Sequence, residues 1–92
     1  MIIFNVMAAI LHLHSVDQLG PIVQFHRKKA GLSRIDLAMV AGIGKTAIFD
    51  IEHGKPTVQF NTLFKVLSAL NIKFALDSPI MDLLEEPPDA QR

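Results

Sequence analysis

Ninety-two residues, half of them apolar, suffice for one small domain and leave no material for a second core. The absence of cysteine excludes disulfides, thiolate zinc sites and thiol nucleophiles. The formal charge is zero but uneven: Gly20 to Lys73 carries eight basic residues against three acidic ones, whereas Leu76 to Arg92 carries five acids and one arginine.

Residues 1–14, MIIFNVMAAILHLH, are apolar but lack a basic run ahead of them, so a signal peptide is not expected. No apolar run reaches the ~20 residues that span a bilayer, and a cytoplasmic protein is expected. Ser15-Val-Asp-Gln18 has the form of a capping box. Gly20-Pro21 then allows either a helix that starts at Ser15 and bends, or one with Pro21 near its first position. Both place a first helix over Ile22 to Lys29, with Ile22, Val23, Phe25 and Ala30 at apolar spacing and a stop at Gly31.

Ser33-Arg-Ile-Asp36 opens a second helix that offers Ile35, Leu37, Ala38 and Val40 to the core. Ala41-Gly42 makes the turn, Gly44 stands at the N-cap of a third helix, Ile48 and Ile51 face inward, and Gly54 supplies a left-handed stop. Pro56 forbids continuation. A fourth helix is predicted from Gln59 to Leu70, because Leu63, Val66, Leu67 and Leu70 fall at i, i+3, i+4 and i+7, with Asn71 able to cap its end.

The period then changes. Ile72, Phe74 and Leu76 alternate with Lys73 and Ala75, as in a strand ended by Asp77-Ser78-Pro79. A lone strand needs a partner for its backbone groups, and the simplest is the same strand of a second copy across a two-fold axis. A homodimer joined through Ile72, Phe74 and Leu76 is therefore expected; the alternative partner is the segment Ile2–Val6 of the same chain. Residues 77–92, with Leu83 and Leu84 followed by Glu85-Glu-Pro-Pro88, are expected to form an acidic, mobile tail.

Two short helices around a tight turn suit a helix-turn-helix, whose second helix enters the DNA major groove. On that geometry Lys45, Thr46, Ala47 and Asp50 are the base-reading candidates. Lys45 can donate to guanine O6 or N7, Thr46 can bond bases or phosphate, and the Ala47 methyl can touch thymine. Asp50 can accept from cytosine N4 or orient Lys45. Arg34, His53 and Lys55 are the phosphate-binding candidates. Phe49 falls between the groove side and the core side and is assigned to packing, with contact to a thymine as the alternative. Glu52 is unfavourable near phosphate and is expected to pair with a lysine or arginine inside the domain.

Other chemistry lacks its motif. Gly44-Lys45-Thr46 resembles the end of a phosphate-binding loop, but Met39 stands where the first glycine belongs. His12 and His14 would share one face of a strand, yet no nearby carboxylate or cysteine completes a metal site. No catalytic set is recognisable, so neither an enzyme nor a cofactor is expected.

Leu19-Gly20, Arg27-Lys-Lys-Ala-Gly-Leu-Ser33, Leu37-Ala38, Ala41-Gly-Ile43, Ile48, Asp50-Ile-Glu52 and Gly54-Lys-Pro-Thr57 resemble the Cro/C1-type (Xre-like) helix-turn-helix family over residues 16–76. Within it, Thr62-Leu63, Lys65-Val66-Leu67, Ala69-Leu70 and the ensuing strand are most similar to HipB-type antitoxins. The resemblance implies an all-α, lambda-repressor-like bundle of four to five helices with a short C-terminal β-strand for dimerisation. Residues 15–76 would be the DNA-binding domain, and residues 1–14 an N-terminal extension. It implies a dimeric repressor of its own operon, bound to a palindromic operator and to a HipA-like Ser/Thr kinase toxin. Two positions depart from the family's pattern: Gly44 replaces a hydroxyl N-cap, and Arg34 stands where glutamine is common. A solitary phage-type or metabolic repressor, or a protein-interaction module without DNA binding, are the alternatives.

Overall fold

The capping box at Ser15 forms: Gln18 Oε1 accepts from the backbone N–H groups of Ser15 (3.3 Å) and His14 (2.6 Å). It opens a 3-10 turn, Val16–Gln18, that runs directly into helix α1, Leu19–Lys29, in the computed structural model, which describes residues 10–84. Pro21 is the third residue of α1 and interrupts nothing, since a first-turn N–H has no partner within a helix. Gly20 lies where α1 meets the end of the third helix. A Cβ there would sit 2.5 Å from the Glu52 carbonyl oxygen and 2.8 Å from that of Ile51, so only glycine permits the approach.

Helix α2 spans Arg34–Ala41, α3 Lys45–Glu52 and α4 Phe60–Ala69. Ser33 caps α2, its hydroxyl accepting from the Asp36 N–H at 3.0 Å. Gly42, at φ +75°, turns the chain between α2 and α3, and Gly54, also at φ +75°, follows α3. Gly44 occupies the N-cap of α3 without a side chain to offer. Asn71 adopts the left-handed conformation (φ +60°) after α4, and the Ile72 N–H closes the helix end on the Leu67 carbonyl at 2.8 Å.

Each helix contributes to one core. Leu19 and Val23 from α1, Leu37 and Ala38 from α2, Ile48 and Ile51 from α3, and Val66 and Leu67 from α4 are buried, with Leu63, Leu70 and Ile72 packed partly against them. Two expected core residues are not there: Ile35 and Val40 are 54% and 63% exposed. At ~100° per residue, the face of α2 that carries Leu37, Ala38 and Ala41 turns both of them away. Phe25 is likewise exposed, and its ring meets His26 edge-on at 5.6 Å instead of the core.

The described residues contain four α-helices and no strand. Residues 72–76, expected as the dimerising strand, form no ladder, because a strand exists only with a hydrogen-bonding partner and one copy of the described residues supplies none. Phe74 instead joins Phe60 and Phe64 in an edge-to-face group, with centroids 5.6 and 5.3 Å away. A second 3-10 turn, Met81–Leu83, lies near the end of the described chain. The alternative strand partner Ile2–Val6, most of the N-terminal extension and the acidic end of the tail lie outside the described residues.

Candidate nucleic acid interface

The short turn at Gly42 and Ile43, both of whose N–H groups bond the Ala38 carbonyl at 2.9 and 3.0 Å, fixes α3 against α2. Ile48 and Ile51 bury one side of α3 and leave Lys45, Thr46 and Phe49 on an open groove. Ser33, Arg34 and Ile35 at the start of α2 form its other wall. Three predicted site residues, Arg34, Lys45 and Thr46, are therefore brought together. Ala47, the third residue expected near bases, is half-buried and does not line the groove.

One buried carboxylate organises this wall. The Glu52 side chain is fully buried and accepts from Arg27 Nε (2.6 Å), Arg27 Nη2 (3.2 Å) and Arg34 Nε (3.0 Å). Arg27 Nη1 also donates to the Leu32 carbonyl at 2.9 Å, so all of these contacts link α1, the α1–α2 loop, α2 and α3. Burial raises the Glu52 pKa, but the hydrogen bonds and charges of Arg27 and Arg34 outweigh it and hold the group below its ordinary 4.5. The internal partner expected for Glu52 is thus a pair of arginines. Arg27 reaches the lining of the groove but is only 7% exposed, and its guanidinium is committed to internal partners. Its place was readable from spacing, since Gly20, Val23 and Arg27 share one face of α1.

Arg34 keeps a third of its side chain exposed. Its Nε is committed to Glu52, its guanidinium lies 5.4 Å from the centre of the Phe49 ring, and among the described residues its terminal nitrogens form no hydrogen bond. The group is thereby oriented with two nitrogens free for an anion.

The remaining predicted residues gather at the far end of α3. Asp50 does not orient Lys45; it pairs with Lys55 at 3.5 Å. Lys55 is more than half exposed, so this is a weak, solvent-screened pair that a phosphate can replace. His53 stacks on Phe49, with centroids 3.8 Å apart and planes 19° apart, and its Nδ1–H donates to the Phe49 carbonyl at 2.8 Å. That bond places a proton on Nδ1, so Nε2 can donate to phosphate only in the imidazolium form. Phe49 packs on its own fold, as expected, through His53 and the Arg34 guanidinium, and at the same time is 47% exposed and lines the groove.

Among the described residues no group of histidines and carboxylates is placed to hold a metal, and no helix is long and apolar enough to cross a membrane. The helix-turn-helix family model matches residues 25–76. An uncharacterized HTH-type transcriptional regulator, y4mF of Sinorhizobium fredii, is 38% identical over 61 residues, which cover 66% of this chain and 80% of that one. Among solved structures, a chain of the HipA–HipB–O2–O3 complex superposes with a TM-score of 0.69 at 24% identity, covering 76% of this chain and 99% of its own. The restriction-modification controller protein C.AhdI from Aeromonas hydrophila superposes at 0.57 with 26% identity, over 63% and 88% of the two chains. With the family match over more than half its length and the two-helix geometry at its centre, the chain belongs to the Cro/C1-type helix-turn-helix family.

Proposed function

We propose that the protein is a sequence-specific DNA-binding repressor that acts as a homodimer, and that it serves as the antitoxin of a HipBA-like module. The observation that carries DNA binding is the groove at the start of α3, where Lys45, Thr46 and an oriented Arg34 guanidinium converge with no carboxylate among the lining residues. Lys45 and Thr46 would read base edges, with Ala47 beside them, while Arg34, Lys55 and His53 would hold the flanking phosphates. Asp50 is given a supporting part in this reading, releasing Lys55 to the backbone.

Dimerisation is supported by the C-terminal surface. Phe60, Phe64, Phe74 and Leu76 are 57%, 41%, 45% and 75% exposed, and the three rings pack on one another. Residues 72–76 beside them have no ladder partner among the described residues, and a second copy would supply one while covering the three rings. A single domain of this kind binds DNA non-specifically at about 10⁻⁴–10⁻⁶ M. Two domains engaged together reach nanomolar affinity and require a palindromic site.

The likeness to HipB, held with HipA in one of the solved complexes, supports a HipA-like kinase as partner and autoregulation as the role. A toxin-free regulator is the second reading, favoured by the likeness to the restriction-modification controller. Arg34→Ala combined with Lys45→Ala tests the DNA reading: specific binding to duplex from upstream of the gene is lost while light scattering still reports a dimer. Unchanged binding would refute it. Co-purification of a HipA-like kinase with the protein separates the antitoxin from a solitary repressor, which would bring none.

A further inference from the structure

We propose that Phe49 is a base-reading residue whose ring recognises the 5-methyl group of a thymine in the major groove; this inference rests on the DNA-binding reading above. Phe49 lies one helical turn after Lys45 and is turned away from the buried Ile48 and Ile51, and it lines the groove. It is 47% exposed and lies outside the core. Its contacts hold the ring in place and cover part of its faces, leaving it 47% exposed: the Arg34 guanidinium is 5.4 Å from its centre, and His53 stacks on it at 3.8 Å. Arg34 is fixed in turn by the buried Glu52, and His53 by its bond to the Phe49 carbonyl. The remaining ring edge is presented with little rotamer freedom left to lose on binding.

A helix in the major groove meets base edges, not base faces. Purine N7 and O6 acceptors, and the amino groups of adenine and cytosine, would lose water against a phenyl ring and gain no hydrogen bond. The thymine methyl is the one apolar group on those edges. Lys45 and Thr46, preceding Phe49 on the same groove, carry the donors that neighbouring acceptors need. The site therefore pairs polar readers at the start of α3 with an apolar reader one turn later.

The test starts from wild-type protein. Duplexes of about twenty base pairs, long enough for two half-sites one helical turn apart, are selected from a randomised pool. The best duplex is remade with deoxyuridine replacing each thymine in turn, in both half-sites, and Kd is measured by fluorescence anisotropy for wild type, Phe49→Leu and Phe49→Ala. Withdrawing one methyl from water is worth about fourfold, so removing it from both half-sites should weaken wild-type binding about 15-fold at one thymine position. That loss should shrink in Phe49→Leu and vanish in Phe49→Ala. If every uridine substitution stays within about twofold for wild type, or the same loss persists in both variants, the inference is overturned while DNA binding stands. If selection enriches no sequence, the DNA-binding reading fails first and the inference falls with it. The uridine scan needs no variant to fold.

Discussion

Replacing Glu52 by leucine removes the one carboxylate that neutralises Arg27. Arg27 is 7% exposed and three of its nitrogens bond inside the protein, two of them to Glu52, so the substitution leaves a charged guanidinium buried with only the Leu32 carbonyl. Stranding one partner of a buried pair costs about 3–5 kcal/mol. A domain of this size has about 5–10 kcal/mol in total, and each kcal/mol moves its Tm by about 4–8 °C. Glu52→Leu should therefore lower Tm by roughly 12–40 °C, the upper end taking the domain close to unfolding at room temperature. Arg27→Met should cost less, because Arg34 remains to face Glu52 at 3.0 Å. The double variant, apolar on both sides, should recover most of the loss and lie within about 2 kcal/mol of wild type, as buried ion pairs exchanged whole for apolar residues commonly do. Urea denaturation of the four proteins, read as a double-mutant cycle, measures the coupling. A Glu52→Leu loss below about 1 kcal/mol, or additive single and double variants, would refute the claim that this carboxylate ties the four segments together.

Gly20→Ala should cost about 1–3 kcal/mol, since its Cβ would fall 2.5 Å from the Glu52 carbonyl and force α1 away from α3; a thermal melt checks it. Gly44→Ser should stabilise by a few tenths of a kcal/mol, because its φ of −80° suits any residue, nothing lies within 4 Å of the new Cβ, and the hydroxyl can cap α3. Glu52 titrates below its ordinary 4.5 in the folded protein, so its contribution is complete above that value and drains as pH falls through the lowered pKa. The urea midpoint of wild type should fall more steeply below pH 4.5 than that of Glu52→Gln; equal slopes would contradict the pairing.

The four helices were legible because their ends are written in single residues. Ser33 and Gln18 cap, Gly42 and Gly54 turn left-handed, and Asn71 closes α4. The inward faces were legible less evenly. The period of α4 is long enough to single out Val66 and Leu67, whereas α2 has eight residues, most of them apolar, and Ile35 and Val40 could be placed only once its neighbours were known. Residues 72–76 have strand spacing, but a ladder depends on what lies beside them, which spacing in one chain does not specify. At the site, Lys45 and Thr46 followed from their place after Gly44. The bond from Arg34 to Glu52 spans 18 residues and leaves no mark at a fixed interval, whereas Phe49 and His53 stand four apart, a helical spacing that allows their stacking without specifying it.

The central claim, a DNA-reading helix α3, is tested most directly by fluorescence anisotropy of the purified protein on duplex from upstream of its own gene, against a scrambled duplex. A dimer making about six to ten phosphate contacts should bind its own sequence far more tightly than the scramble and lose roughly 10³–10⁵-fold in affinity between about 50 and 200 mM salt. Equal, weak binding to both duplexes at low salt would contradict it.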